Sequence, residues 1–395
     1  MYGGTIKMFI RQSENRSRCR FMSAPSHLAG CILTPEGWVR GRIAFVDTVV
    51  AIEGFPDAPA SREECIVLPG FVDLHVHGGG GRDVMDGRGA VDTIATVHAQ
   101  HGTTSLLATT MTAPRDDLNS ALKDVARAMS DRQPGQARIL GVHLEGPFIS
   151  PDRLGAQPRC IRSATTEEFN ALNALAPIRV LTLAPEMAGH LDFIRYLRSG
   201  GVVPQIGHSN GSYEEGVAAL EAGAGGFTHL FNAMSALHHR HPGMTGAALA
   251  HAEFAEIIPD LLHVHQGAIH AARRAIPRLY CVTDATSATG MPDGHYPLGS
   301  QTVHKCLGGV RLADGTLAGS VLTMDQALRN LVSIGIPLHQ AALHVSTYPA
   351  DYLGETRIGR LRPGALADFV ILDAQLGVKQ VYVGGRPCLT ESASL

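Results

Sequence analysis

His75 and His77 stand one residue apart where the apolar run over 68–74 ends, and Gly78, Gly79, Gly80 and Gly81 follow directly. Side chains alternate faces along an extended strand, so the two imidazoles point the same way. Two imidazoles side by side at a strand end make half of a metal site, and the glycines let backbone and substrate come close. His-x-His pairs also occur on ordinary surface strands, so the pair gains meaning only if the rest of the chain completes it. Four further apolar runs close on residues of the same kind: His143-Leu144-Glu145-Gly146-Pro147-Phe148, Gly207-His208-Ser209-Asn210, Thr228-His229-Leu230-Phe231-Asn232-Ala233-Met234 and Val282-Thr283-Asp284-Ala285. Singly, each histidine reads more readily as a satisfied structural residue than as a ligand. Together, His75, His77, Glu145, His208, His229 and Asp284 offer nitrogen and oxygen donors without a thiolate, a set that suits zinc, iron or manganese.

Such residues meet only if the ends of their strands share one rim. From Leu68 onward, strand-like runs at 68–77, 104–111, 139–145, 179–184, 202–207, 226–230, 256–259 and 279–283 alternate with amphipathic stretches. Helices are expected at 90–100, 116–130, 166–176, 187–198, 213–222 and 266–276, with start signals at Ser212/Glu215 and Thr165/Glu168. Eight strands separated by helices are the arithmetic of a (β/α)₈ TIM-type barrel, an α/β fold that places its chemistry at the C-terminal strand ends. A doubly wound open sheet is the alternative, but the chain lacks Rossmann and P-loop glycine patterns. Short strands at both chain ends read as one small β-sandwich domain. The expected division is a basic tail over 1–27, disordered, then an accessory domain from 28–67 and 352–395 around a catalytic barrel over 68–351.

Composition narrows the function classes. A formal net charge of -3 argues against a nucleic-acid binder, and no apolar run is long enough to span a membrane. Seven scattered cysteines without a CxxC pair read as reduced thiols of a cytoplasmic protein. The first residues carry Lys7, Arg11, Arg16, Arg18 and Arg20 against Glu14, and read as an extended start or a disordered tail rather than a transit peptide.

The motifs quoted above, in that order and led by Pro69-Gly70-Phe71-Val72-Asp73, resemble the N-acetylglucosamine-6-phosphate deacetylases of the amidohydrolase superfamily. The resemblance runs from about Leu28 to the closing Ala367-Asp368-Phe369-Val370 segment. It implies a barrel of the metal-dependent hydrolase kind, with Glu145, His208 and His229 holding one divalent ion. His75 and His77 would help hold a second, with Glu145 bridging and Asp284 nearby; members lacking the pair use a single ion. Zinc is expected first, with iron or manganese as alternatives. The reaction implied is hydrolysis of the acetamide of N-acetyl-D-glucosamine 6-phosphate by metal-activated water, with Asp284 as general base and then acid.

Further roles follow from the same resemblance. The family's carbonyl-oxygen donor is a histidine in a Gly-Ala/Thr-His run, where this chain has Gly155-Ala156-Gln157. Gln157 can donate a hydrogen bond but cannot carry positive charge, which implies weaker transition-state stabilisation or a shifted substrate. Arg240, in Leu237-His238-His239-Arg240-His241-Pro242-Gly243, would grip the phosphate, while His238 and His239 read as a solvated surface cluster. Ala156, Asn232 and Ala233 would contact the sugar, and Leu317, Ala318 and Ser320 belong to a loop closing over it. His263 matches a phosphate-binding histidine reached across a dimer interface, although Leu261 stands where the family has glycine. The implied partners are an amino sugar phosphate and a second copy of the chain, with neither nucleic acid nor membrane. The rival readings are a deacetylase of N-acetylgalactosamine 6-phosphate or of an unphosphorylated sugar, and a catalytically silent barrel that only binds.

Overall fold

The computed structural model describes residues 24–59 and 65–388. The expected tail lies outside these residues up to 23, and Ser26 and His27, assigned to it from the sequence, already belong to a strand, Ser26–Thr34. Eight parallel strands form the larger sheet: Phe71–Val76, Thr103–Thr110, Arg138–Glu145, Ile178–Leu183, Val203–Ile206, Gly226–Phe227, Phe254–Ile257 and Arg278–Cys281, here called barrel strands one to eight. The chain just past strand eight closes the ring: Ala285 bridges Val76 in parallel, and the Asp284 N–H donates to the His75 carbonyl at 2.9 Å. A ring with strand one beside strand eight excludes the open sheet. Strand one is buried along its whole length because helices and barrel interior cover both faces.

Local sequence explains most of the outer layer. Tyr213–Ala222 starts with a full capping box, the Ser212 hydroxyl accepting from the Glu215 N–H while the Glu215 carboxylate accepts from the Ser212 N–H. At Thr166–Asn173 only half of the box forms. Thr165 accepts from the Glu168 N–H, but the Glu168 carboxylate turns to the Arg162 guanidinium at 2.7 Å. Gly243–His251 is a helix that the sequence reading left out, because it is apolar on nearly every side and its Pro242 start has no capping side chain.

A second unexpected element covers the strand-end rim. Gly294–Leu298, Gln301–Cys306 and Gly309–Arg311 form a three-stranded antiparallel sheet. Its inner face packs Leu298, Val303 and Val310 on Met111, Ala288 and Ala318. The buried Asp83 accepts from the Gly299 N–H at 2.9 Å, and the Gln301 amide donates to the Ala156 carbonyl. These contacts tie the small sheet to the loops after strands one and three.

The chain ends meet in a seven-stranded mixed sheet, which joins strands of 26–56 to Ile66–Pro69 and to strands of 369–387. Phe45 and Phe369 stand on strands separated by two others, yet their rings are 4.9 Å apart, edge to face. The sheet therefore folds over on itself, and its halves face each other across Ile32, Ile43, Val67 and Ile371. The sandwich is made from one continuous hydrogen-bonded sheet.

Candidate metal centre

All six metal-type residues converge at the C-terminal mouth of the barrel, and all are buried. His208 and His229 bring their Nε2 atoms 3.1 Å from Glu145 Oε1 and 3.1 Å from each other. Beside them, His75 and His77 Nε2 lie 3.1 Å apart, with His77 Nε2 3.1 Å from Glu145 Oε2 and 3.3 Å from Asp284 Oδ1. Glu145 thus offers one oxygen to each half. Tetrahedral bonds of about 2.0–2.1 Å to zinc set ligand atoms roughly 3.3 Å apart, which is the spacing seen here.

The hydrogen bonding also fits a cation. His208 Nδ1 lies 2.8 Å from the Arg153 carbonyl, which can only accept, so Nδ1 carries the proton. Nε2 then faces the Glu145 carboxylate, an approach that needs positive charge between the two, supplied by a second ring proton in the metal-free chain or by an ion in its place. His75 repeats the pattern: Nδ1 lies 3.0 Å from Glu256 Oε2, and Nε2 faces Glu145 and Asp284, each at 3.5 Å. Outer partners of this kind fix the ring orientation of metal-bound histidines.

Protonation reports the same field. Burial alone disfavours charge on His77, but hydrogen bonds to Asp284 and Glu145 outweigh it and hold the ring up at about 9. Burial works against the charged form of Glu145 as well, and the His75 and His208 charges override it and keep the carboxyl well below its usual range. Asp284 is likewise held down against burial by His75 and His77. In the metal-free mouth, carboxylates and protonated imidazoles balance one another, and a divalent ion would take over the positive charge.

Three of the six residues sit on left-handed backbone: His208 at φ 48°, His229 at φ 28° and Asp284 at φ 50°. Non-glycine residues adopt this region rarely, and strain of this kind persists only where surrounding bonds enforce it. Here the His229 N–H donates to Glu256 Oε2 at 3.0 Å, and the Ser320 N–H donates to the Asp284 carbonyl at 2.8 Å.

A cavity of about 250 Å³ opens on the cluster. That is below the usual span of drug-sized ligand pockets and suits a small molecule. Ala156, Gln157, Asn232, Ala233, His263 and Leu317 line it beside the metal-type residues. Gln157 is engaged at both ends, its Nε2 donating to Glu145 Oε2 at 2.6 Å and its Oε1 accepting from the Thr112 N–H at 2.7 Å. His263 donates from Nδ1 to Asp260 Oδ2 at 2.6 Å; burial opposes its charge, and Asp260 outweighs burial and draws its pKa up. Its ring lines its own chain's cavity, which corrects the expectation that it arrives across an interface.

Three expected contacts lie elsewhere. Ala318 is packed in the core under the small sheet, and Ser320 donates its hydroxyl to the Thr283 carbonyl at 2.5 Å, so it supports Asp284 from behind. Arg240 is exposed outside the cavity, donating to His239 Nε2 at 2.8 Å. The sequence reading missed Met111, Leu298 and Thr316 on the cavity wall, and Glu256 beneath it. His143, in the strand-three motif, is not on the rim. Burial pushes its pKa down to about 4, and the neutral ring bridges the Leu74 carbonyl and the Thr182 hydroxyl.

Residues 66–388 match the model of the amidohydrolase family. The chain belongs to that family. It is a hydrolase of the kind that acts on amide bonds, and the silent-barrel reading falls away. N-acetylgalactosamine-6-phosphate deacetylase of Escherichia coli O157:H7 is 40% identical over 365 residues, covering 90% of this chain and 97% of the relative. N-acetylglucosamine-6-phosphate deacetylase of Vibrio furnissii is 38% identical over 375 residues, covering 90% and 92%. Among solved structures, an N-acetyl-D-glucosamine-6-phosphate deacetylase variant from Mycobacterium smegmatis, in complex with N-acetyl-D-glucosamine-6-phosphate, superposes with a TM-score of 0.86. It shares 35% identity and covers 93% of this chain and 100% of its own.

Proposed function

We propose that the chain removes the acetyl group from N-acetyl-D-glucosamine 6-phosphate, releasing acetate and glucosamine 6-phosphate. The observation that carries this reading is the six-residue mouth opening on a cavity that suits a small molecule, in a chain similar to deacetylases over most of its length. A divalent ion held by Glu145, His208 and His229, and a second held by His75 and His77 with Glu145 and Asp284, would supply Lewis acidity that acidifies water and polarises the amide carbonyl. Zinc is the first expectation, with iron or manganese as alternatives.

The chain's own groups do the rest. Asp284, ionised at neutral pH and at the cavity wall, accepts the proton of the attacking water and returns it to the leaving nitrogen. Gln157 stands at the same wall with its amide already turned toward Glu145, so it orients the carboxylate and borders the reacting carbonyl. Asn232 and Ala233 contact the sugar, and His263, kept basic by Asp260, faces the phosphate end. Arg240 reaches a phosphate only in an assembly that brings its loop to a cavity mouth. A homodimer is proposed on that ground and because Leu237, Leu261, Leu262 and Leu307 are exposed in the loops after strands six, seven and eight. A reducing, cytoplasmic location accords with the lack of any disulfide among the described residues.

The galacto epimer is the second reading, favoured by the 40% identity to a deacetylase of that substrate. Rates of acetate release from the gluco and galacto 6-phosphates and from both unphosphorylated sugars separate the cases. Higher kcat/KM on the gluco 6-phosphate supports the proposal, and preference for the galacto form replaces it with the second reading. Equal rates without phosphate remove the roles given to Arg240 and His263.

A further inference from the structure

Barrel strand seven gives no ligand to the mouth, yet it carries a fully buried carboxylate, Glu256, directly beneath it. Glu256 Oε2 lies 3.0 Å from His75 Nδ1 and 3.0 Å from the backbone nitrogen of His229. These two histidines belong to opposite halves of the mouth: His75 groups with His77 and Asp284, and His229 with Glu145 and His208. One oxygen therefore touches both halves from below.

Glu256 is itself held in place. Its other oxygen lies 3.5 Å from the Tyr280 hydroxyl, which also donates to Gln205 at 3.1 Å. Gln205 donates to the Thr228 hydroxyl at 2.8 Å, Thr228 and Thr182 share a hydrogen at 2.7 Å, and Thr182 reaches His143 at 2.7 Å. This buried chain crosses the barrel from strand eight to strand three without meeting solvent. Its members can satisfy one another in few ways, so the carboxylate has little freedom to turn.

We propose that Glu256 is a positioning residue that makes the two halves one site. By accepting from His75 Nδ1–H it fixes the tautomer that leaves Nε2 bare for a metal, and by accepting from the His229 N–H it holds the left-handed turn that aims the second ring. Without it, His75 is free to carry its proton on Nε2, where it hydrogen-bonds to Glu145 or Asp284 and binds no ion. Loss of such an outer partner weakens metal binding by roughly 10–100-fold. The inference rests on the two-ion reading above.

The test uses full-length wild type, E256Q and E256A, stripped of metal and reloaded with zinc. Ions per chain are counted after dialysis, affinities are taken by competition with a coloured chelator, and folding is checked by circular dichroism of the stripped proteins. Wild type is expected to hold two ions. E256A should hold one, with the lost ion bound about 10–100-fold more weakly, and E256Q should fall between because its carbonyl oxygen, standing in for the one carboxylate oxygen that meets both hydrogens, accepts them without a negative charge. If E256A fails to fold, E256Q carries the test alone. Two ions at unchanged affinity in E256A, or in E256Q where E256A is unfolded, overturn the proposal and leave the two-ion reading standing. A wild type that holds one ion overturns both, since His75 is then no ligand, and leaves the deacetylase reading intact.

Discussion

Gln157 is the departure from the family pattern with the clearest physical consequence, and Gln157→Leu isolates it. The side chain is buried and bridges the Thr112 N–H at 2.7 Å and Glu145 Oε2 at 2.6 Å. Leucine has similar bulk and neither group. A buried N–H left without a partner costs about 1–3 kcal/mol, and a hydrogen bond to a charged group contributes about 1.5–3 kcal/mol. The sum of roughly 2.5–6 kcal/mol, set against an unfolding entropy of about 0.8 kcal/mol/K for a chain this long, lowers Tm by about 3–7 °C. The same loss frees Glu145 to turn away from its bridging position, so zinc affinity and kcat/KM should each fall by about tenfold or more. Gln157→His is the informative companion, because a neutral imidazole can accept from Thr112 at one nitrogen and donate to Glu145 from the other. It should keep Tm near wild type and preserve or raise turnover. Differential scanning calorimetry and acetate release measure the series. A leucine variant within about 1 °C and twofold of wild type would refute the bridging role.

Three further outcomes follow from the same structure. Asp284→Asn keeps the size of the side chain but cannot take a proton, so kcat should drop by about 10²–10⁴-fold while the ion at Glu145, His208 and His229 is retained; unchanged turnover would remove its acid–base role. In the metal-free chain His77 is held at about 9, so at pH 7 its ring is protonated and an incoming ion must displace that proton. Adding zinc in weak buffer at pH 7 should release protons, and apparent affinity should rise with pH up to about 9; loading without proton release contradicts this. Asp325 is held down at about 2: burial opposes the charge, and the His101 and Thr323 hydrogen bonds and the Arg329 charge override it. A carboxyl lower in the folded than in the unfolded state stabilises above its unfolded value near 3.8. That contribution, about 2 kcal/mol, is lost as pH falls from about 4 to 2. Asp325→Asn should remove this part of the acid denaturation curve, and a curve of unchanged slope would reject it.

The ligands were legible in the sequence because a parallel barrel puts each strand's last residues on one rim. Reading the ends of five apolar runs was enough to name all six side chains that the structure brings together. What supports them was not legible. The partner of His75 is Glu256, 181 positions away, on a strand whose expected bounds began at that residue rather than enclosing it. The Arg153 partner of His208 is a backbone carbonyl, a group every residue has. The small sheet over the mouth escaped notice because its strands are short, half exposed and interrupted by Pro297, so neither apolar alternation nor β-branched runs mark them. Arg240 was identified by type and neighbourhood, but its distance from the cavity depends on how copies of the chain assemble, and a single sequence carries little of that.

Metal-assisted hydrolysis of an N-acetyl sugar phosphate is the reaction proposed for this mouth. It is tested most directly by following acetate release from N-acetyl-D-glucosamine 6-phosphate with one preparation as loaded, chelator-stripped and reloaded with zinc, metal content being measured at each stage. Turnover is expected when loaded, none above background when stripped, and recovery in step with the zinc restored. Acetate released at the loaded rate by protein shown to hold no metal would contradict it.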